Sequence, residues 1–296
     1  MRHPDPNFGY PSLTIPDKRW RAPSRASESP LNKTAPVNHF MRQGAFVLDS
    51  HIDAVTWDEC IARVSSWAAL RQSRYVTLCN VHSVVTASED ADFRRVIGQA
   101  DLALPDGAPI AWALRREGHT EQTRISGPDL MWRYLAEAER LRQKVFFYGS
   151  TDETLDQLRA RIVSSFPHLQ IVGMASPPYR ALSDREDQAY VDQINRSGAH
   201  VVFVGLGCPK QESWMAAHRG RVHAVMLGVG AAFDYHAGTL KRAPGWMQKM
   251  GLEWLHRLGS EPRRLAGRYV HTNSVFVLRM LKSVLLGRRP GKGQEV

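Results

Sequence analysis

The segment Gly205–Glu212 combines residue types that can hold a ligand. It follows the apolar run Val201–Val204, which predicts a buried strand that ends in a tight loop. Glycines let the backbone approach a ligand closely, proline stiffens the loop, and lysine and glutamine add hydrogen-bonding reach. From the spacing alone, an ordinary strand-to-helix turn with a satisfied loop amide is an equal alternative. The candidate ligand-binding residues of this segment are Gly205, Gly207, Pro209, Lys210 and Gln211.

A single carboxylate, Asp106, follows a second apolar run, Leu102–Leu104. It lies between Pro105, which fixes the turn, and Gly107, which opens it. A carboxylate in a loop at the edge of a sheet suits the removal of a proton from a hydroxyl group. Aspartate is also common in Asx-turns and at helix N-caps, and these structural roles are the alternative.

A permanently charged side chain, Arg124, precedes the short segment Ile125–Gly127. Its guanidinium group donates a fork of hydrogen bonds that matches phosphate oxygens. The alternative is a surface ion pair, for which Asp129 is the expected partner. Two further polar candidates, Asn80 and His82, follow another predicted strand. His82 either titrates near neutral pH or is a packed, hydrogen-bonded histidine.

Two more apolar runs, Val145–Tyr148 and Val225–Leu227, also end in glycine, and helical patterns lie between most of these runs. This alternation predicts an α/β fold with a doubly wound, mostly parallel, Rossmann-like sheet. Loops at the carboxyl ends of parallel strands form ligand sites, so glycine-rich loops there favour a phosphate-bearing ligand. These loops add the candidate binding residues Gly149, Gly228, Gly230, Phe233 and Asp234.

Local patterns predict the elements around these loops. Phe46–Leu48 has the composition of a short first strand. Thr56 and Glu59 have capping-box spacing and predict the start of a helix, and Ser183 predicts the N-cap of another. The segment Val84–Gln99 predicts a single helix.

The composition suits a core of roughly 200 residues with extensions, because the chain has 296 residues. Residues 1–44 predict a disordered tail, since the first 36 residues hold seven prolines and no apolar signal segment. The three cysteines have neither paired nor metal-type spacing, which favours reduced thiols in the cytoplasm. The pattern indicates no cofactor and no metal site.

Positive charge is concentrated at the C terminus. Residues 240–296 hold twelve Lys or Arg against three Asp or Glu, in a chain of net charge +10. Trp, Leu and Met residues are interleaved, as in an amphipathic helix on an anionic membrane surface. The last apolar stretch is shorter than the about 20 residues of a spanning helix. We therefore expect a core over residues 45–238 and a basic, membrane-associating helical appendage over residues 239–296. Core packing is the alternative for the apolar residues from Trp246 to Leu258. Nucleic-acid binding is the alternative for the basic segment, but no nucleic-acid motif accompanies it.

Several motifs occur together in a fixed order between about Phe46 and about Arg268. They are Asn80–Ser83, Ala100–Leu102, Pro105–Gly107, Arg124–Leu130, Gly205–Glu212, Gly228–Gly230 with Phe233 and Asp234, Gly238 with Lys241–Pro244, Leu252–Trp254 and Glu261–Arg264. In this set the chain resembles the WecG/TagA/CpsF family of glycosyltransferases (glycosyltransferase family 26). So many ordered motifs make the resemblance specific.

The resemblance implies an inverting, metal-independent hexosyltransferase that moves a sugar from a nucleotide donor to a polyprenyl-diphosphate-linked saccharide. The donor would be a UDP-sugar such as UDP-ManNAc, UDP-ManNAcA or UDP-glucose. The enzyme would be peripheral to the inner face of the cytoplasmic membrane and would serve the biosynthesis of a cell-envelope polysaccharide or exopolysaccharide.

The resemblance also assigns roles to residues. It makes Asp106 the general base and places Arg124 and Gln211 in the active site. The appendage residues that it implies for the lipid diphosphate and membrane are Arg257, Arg263, Arg264 and Arg268. The family often has threonine two positions before the residue that matches Asn80. Here that residue is Leu78, with Thr77 one position earlier, so a substrate contact is expected to differ.

Two other classes of protein remain alternatives. A dehydrogenase-like or regulatory nucleotide-binding protein should carry a Gly-x-Gly-x-x-Gly fingerprint after its first strand, where this chain has Asn80 instead. A basic nucleic-acid-binding protein should bind duplex DNA with a steep dependence on salt. The sequence is compatible with a homo-oligomer.

Overall fold

The computed structural model describes residues 42–285. The expected N-terminal tail lies outside these residues except for its last three positions, as does the end of the expected appendage, 286–296. The strands are β1 (Gly44–Val47), β2 (Ser50–Asp53), β3 (Arg74–Cys79), β4 (Leu102–Pro105), β5 (Lys144–Gly149), β6 (Gln170–Ala175), β7 (Val201–Gly205) and β8 (Val225–Gly228). The helices are α1 (Trp57–Ala69), α2 (Val81–Glu89), α3 (Ala91–Gly98), α4 (Ala108–Arg116), α5 (Gly127–Arg140), α6 (Asp152–Ser165), α7 (Asp184–Ser197), α8 (Lys210–His218), α9 (Ala232–Ala237), α10 (Gly245–Lys249), α11 (Glu253–Ser260) and α12 (Pro262–Leu285).

Six strands form one parallel sheet in the order β4-β3-β8-β7-β5-β6, with helices on both faces. This confirms the predicted α/β, Rossmann-like class. The carboxyl ends of β4, β3, β8 and β7 are neighbours in this order. The loops that carry the candidate site residues therefore meet at one edge of the sheet.

Side-chain alternation along the strands explains why the helices cover both faces. Val76 and Leu78 on β3 pack into the same cluster as residues of α1 and α5, whereas Tyr75 and Cys79 face the opposite side. All strands of this sheet except β6 are almost entirely buried, which is why the sequence shows nearly continuous apolar runs there.

Two local expectations need correction. The segment 84–99 is not one helix, because α2 ends at Glu89 and α3 begins at Ala91. Asp90 separates them, and its carboxylate accepts hydrogen bonds from the backbone N–H groups of Asp92 and Phe93, at 2.8 and 3.1 Å. The first strand ends one residue earlier than expected. It pairs with the unpredicted strand β2 in an antiparallel hairpin.

The predicted helix starts are confirmed. Thr56 caps α1, where its hydroxyl accepts from the backbone N–H of Glu59 and the Glu59 carboxylate accepts from the backbone N–H of Thr56. Ser183 and Glu186 form the same arrangement at the start of α7. Both helices therefore begin with two satisfied backbone donors.

The C-terminal residues that the structure describes form α10, α11 and α12. Helix α12 packs against α2 and buries Leu265, Phe276 and Met280. Several large apolar side chains of this region remain exposed: Trp246, Met250, Trp254, Leu255, Val270, Val277, Leu278, Leu281, Val284 and Leu285. Within residues 42–285, no helix combines the length and apolar content needed to cross a bilayer.

Candidate active site at the carboxyl edge of the sheet

Asp106 lies directly after β4, beside the end of β3. Its backbone N–H donates to the carbonyl oxygen of Cys79 at 2.9 Å, which fixes the turn. The N-cap of α4 is Gly107, so the expected alternative in which Asp106 caps a helix is wrong. The carboxylate is therefore not used to begin the helix that follows it.

The surroundings of Asp106 raise the pKa of its carboxyl group to about 6. Burial is the largest cause, and the negative charge of Glu253 adds to it. The charges of Arg124 and Arg257 and a hydrogen bond with Asn80 oppose the rise. The residue as a whole keeps part of its surface accessible. A carboxylate in this state is ionised at neutral pH and is a stronger base than an ordinary aspartate.

Asn80 connects Asp106 to the start of α2. Its side-chain oxygen caps that helix by accepting from the backbone N–H of Ser83 at 3.1 Å. His82 lies in the first turn of the same helix, 3.3 Å from the Thr86 hydroxyl. Burial, together with the charge of Arg268, lowers the pKa of His82 to about 4. The half-buried position, the contact with Thr86 and the lowered pKa favour the packed, neutral histidine over titration near neutral pH.

Arg124 is held beside Asp106 because Ile125 donates its backbone N–H to the carbonyl of Pro105 at 2.8 Å. The expectation that Arg124 pairs with Asp129 is wrong. The guanidinium group pairs with Glu253 at the start of α11 and reaches the Gln248 amide at 3.5 Å.

Asp129, the partner expected for Arg124, is bound by a different arginine. Arg242 donates to both carboxylate oxygens of Asp129, at 2.7 Å each, and lies 3.7 Å from Glu253. Burial would raise the pKa of Asp129, but hydrogen bonds from Arg242 and Ser126 keep it below its ordinary value. A network of alternating charges therefore links the segment after β4 to α11.

Gln211 lies in the first turn of α8, not in a loop, and it is almost fully buried. Its amide nitrogen donates to the carboxyl group of Glu212 at 2.8 Å. Burial raises the pKa of Glu212 to about 7, against hydrogen bonds from Gln211, the backbone and Cys208. Burial also raises the pKa of the Cys208 thiol, which suits a neutral side chain better than a nucleophile.

Two glycines allow the ends of β5 and β7 to lie close to each other and to α9. Gly149 has a φ of 124°, and a Cβ there would lie 2.6 Å from the backbone of Gly205. A Cβ at Gly205 would in turn lie 2.8 Å from the ring of Phe233. Larger residues at these two positions would push β5, β7 and α9 apart.

The remaining binding candidates differ in exposure. Phe233 is fully buried against Phe147, and it lies on α9 rather than in the expected loop, as does Asp234. Lys210 is exposed, with its ammonium group 4.2 Å from the ring centre of Tyr179. Pro209 follows a cis peptide bond and precedes α8. Gly207 precedes α8, and the Gln211 side chain lies within 4 Å of the positions that Cβ atoms on Gly228 and Gly230 would occupy.

The expected departure at β3 concerns two buried side chains. Leu78 is in the core, 3.2 Å from the position that a Cβ on Gly127 would occupy. Thr77 is on the opposite face, and its hydroxyl lies 3.6 Å from the Cys79 sulfur. Leu78 therefore places an apolar side chain two residues before Asn80.

The appendage brings basic side chains to this edge. The charge of Arg257 acts on Asp106, and that of Arg268 acts on His82. Arg263 is exposed in the first turn of α12. Arg264 belongs to the same turn. Among residues 42–285, no group of three or more His, Cys, Asp or Glu residues could hold a metal ion.

Sequence reasoning did not assign site roles to Glu212, Arg242 and Glu253. All three lie in the motifs that carry the family resemblance, so their motif membership was the available signal. Their burial and pairing depend on contacts between distant segments, such as the 129 positions that separate Arg124 from Glu253.

Most of the chain is similar to known proteins. Residues 45–290 match the model of the glycosyl transferase WecG/TagA/CpsF family. A curated protein of Bacillus subtilis is 33% identical over 190 residues, which are 64% of this chain and 72% of that protein. One of Bacillus spizizenii is 28% identical over 235 residues, 78% of this chain and 85% of that protein. Both are named N-acetylglucosaminyldiphosphoundecaprenol N-acetyl-beta-D-mannosaminyltransferase.

Proposed function

This chain belongs to the WecG/TagA/CpsF family of glycosyltransferases, and we propose that it transfers a sugar from a UDP-sugar to a polyprenyl-diphosphate-linked saccharide. The curated relatives are named for N-acetylmannosaminyl transfer to N-acetylglucosaminyl-diphosphoundecaprenol. UDP-ManNAc is therefore the first donor to test, ahead of UDP-ManNAcA and UDP-glucose. The observation that carries the proposal is Asp106, a carboxylate of raised pKa beside Arg124 at the sheet edge.

In the proposed reaction, the oxygen of the acceptor hydroxyl attacks the anomeric carbon of the donor sugar while Asp106 removes the proton from that hydroxyl. The bond to UDP breaks on the opposite side, so the configuration at that carbon inverts. One base and no protein nucleophile are sufficient for this displacement. With a pKa of about 6, the Asp106 carboxyl group is ionised at neutral pH and still accepts a proton readily.

The leaving UDP gains negative charge, which Arg124 is suited to stabilise because it stays charged and donates in a planar fork. Its present partner Glu253 belongs to α11, so diphosphate binding would compete with this ion pair. Gln211 and the glycine-rich loops would supply neutral hydrogen bonds, and the reaction would need no metal ion.

The C-terminal helices are proposed to dock the enzyme on the cytoplasmic face of the membrane. We divide the protein into a core over 45–238 and this appendage over 239–296. Exposed Trp246 and Trp254 would enter the interface, while exposed Arg263 and Arg268 would meet anionic headgroups or the lipid diphosphate. The product would then feed a cell-envelope polysaccharide or exopolysaccharide.

The test is UDP release by the full chain with each of the three donors and an N-acetylglucosaminyl-diphosphate-lipid acceptor. We expect acceptor-dependent release with UDP-ManNAc and a product of inverted configuration by NMR. Release without any acceptor-linked product, or retention of configuration, would contradict the proposal.

A further inference from the structure

Gln211 and Glu212, in the first turn of α8, are both buried. Gln211 is 4% exposed and Glu212 is 1% exposed. Charged residues are almost never buried to this extent unless they are paired. The mechanism proposed above gives Glu212 no task, so its burial needs an explanation.

Each side chain of the pair uses only part of its hydrogen-bonding capacity. The Gln211 amide nitrogen donates to one oxygen of Glu212 at 2.8 Å, and the Cys208 thiol contacts the same carboxyl group. The other oxygen of Glu212 has no partner within the part of the chain that the structure describes. The side-chain carbonyl oxygen of Gln211 is likewise buried and has no hydrogen-bond partner among the described residues. Unpaired buried acceptors are costly and often mark functional positions.

The hydrogen bond to Glu212 leaves the side-chain carbonyl oxygen as the unpaired end of the Gln211 amide, because the nitrogen is bound to the carboxyl group. The position of a Cβ on Gly230 lies 3.7 Å from this oxygen and 3.9 Å from the nitrogen. A Cβ on Gly228 would lie 3.2 Å from the Gln211 nitrogen. Because both positions are glycine, no Cβ from this loop contacts the amide. This loop and the end of β3 belong to the same sheet edge as Asp106.

We propose that Glu212 is a positioning residue, which holds the Gln211 amide so that its carbonyl oxygen accepts a hydrogen bond from a hydroxyl or N–H group of the bound sugar nucleotide. The proposal rests on the proposed function for the identity of that ligand. Reversing the amide would put its carbonyl oxygen against an acceptor when Glu212 is a carboxylate, and would offer the ligand a donor instead. Glu212 acts through Gln211 and does not itself touch the ligand.

The test is a double-mutant cycle with Gln211→Ala, Glu212→Met and the double variant, scored by kcat/KM for the donor. Methionine keeps the length of the side chain and removes the strong acceptor. Loss of a hydrogen bond that involves a charged group corresponds to a decrease of roughly 10–100-fold in an equilibrium or rate constant. We expect each single variant to lower kcat/KM for the donor by this factor. We expect the double variant to lie within about 3-fold of Gln211→Ala, because residues that act as a unit are not additive.

The conservative variant Glu212→Gln supplies the matched control. Its new amide carbonyl can accept the same hydrogen bond from Gln211, so we expect it to recover most of the activity that Glu212→Met loses. A merely structural Glu212 would give additive losses together with a lower Tm in Glu212→Met. We expect an unchanged or higher Tm, because the substitution removes a buried, half-satisfied carboxyl group. Additive losses, or equal losses in Glu212→Gln and Glu212→Met, would overturn the proposal.

A second readout does not depend on transfer. In the ¹⁵N spectrum of the unmodified protein, the side-chain amide of Gln211, assigned by its absence in Gln211→Ala, should show one strongly shifted, slowly exchanging proton. Two fast-exchanging protons would overturn the proposal even if the Glu212 variants failed to fold. If the wild-type protein transferred no sugar, the proposed function would fail, and this spectrum would still decide whether the pair is formed.

Discussion

Replacing Asp106 by asparagine should make the protein more stable at neutral pH. The native pKa of this carboxyl group is about 6, against an ordinary value of 3.8. Between these two values the folded state holds a proton that the unfolded state has released. Stability therefore falls as the pH rises from about 4 to about 6, and the full cost is present above pH 6.

The size of the effect follows from the pKa difference. A shift of one unit corresponds to about 1.4 kcal/mol, which gives an upper value of about 3 kcal/mol for Asp106. Because the residue keeps some accessible surface, solvent screening reduces this to about 1–2 kcal/mol. For a domain of this size, the gain in Tm is roughly 2–8 °C.

The assay is thermal unfolding of the wild type and Asp106→Asn at pH 4.5, 5.5 and 7.5. The control is Asp156→Asn, which changes an exposed carboxylate on α6. We expect the Tm difference for Asp106→Asn to be largest at pH 7.5 and to shrink towards pH 4.5, while the control stays near zero. A variant that is less stable than wild type at pH 7.5, or a gain independent of pH, would refute the reasoning.

The remaining predictions concern catalysis and docking. The acidic limb of kcat/KM against pH should lie near pH 6. It should move to lower pH in Glu253→Gln, because the negative charge of Glu253 raises the pKa of Asp106 and the variant removes that charge. It should move to higher pH in Arg124→Ala, with a lower plateau, because the positive charge of Arg124 lowers that pKa. Shifts in the same direction for both variants would contradict this electrostatic assignment. Transfer should persist in excess EDTA, and a complete loss that Mn²⁺ or Mg²⁺ restores would overturn the metal-free mechanism. The double variant Arg263→Glu with Arg268→Glu should lose at least about tenfold in binding to anionic vesicles, since each basic residue contributes about 1 kcal/mol, with little change on neutral vesicles. Equal losses on both vesicle types would argue against electrostatic docking.

The sheet and the position of its candidate base were predictable from local patterns. Strands buried on both faces leave continuous apolar runs, and the turn residues Pro105 and Gly107 mark where β4 ends and Asp106 follows. The rule that ligand-binding loops follow the carboxyl ends of parallel strands predicted one shared edge for these loops, and the observed strand order places Asp106, Asn80 and Gln211 there.

Other features depend on tertiary contacts that no local pattern encodes. Arg124 pairs with Glu253 and not with nearby Asp129, because α11 brings Glu253 to Arg124 and Arg242 binds Asp129. The burial of Glu212 is equally invisible in the sequence, since glutamate at the start of a helix is ordinarily a solvated residue.

The central claim is that Asp106 is the base of a sugar transfer to a lipid-linked acceptor. The most direct measurement is the transfer rate from UDP-ManNAc to an N-acetylglucosaminyl-diphosphate-lipid at saturating acceptor, for wild type and Asp106→Asn, with UDP binding measured in parallel. Loss of a general base typically costs 10²–10⁴-fold, so we expect a drop of about that size while UDP binding changes by less than about threefold. Near-wild-type transfer by Asp106→Asn would contradict the account.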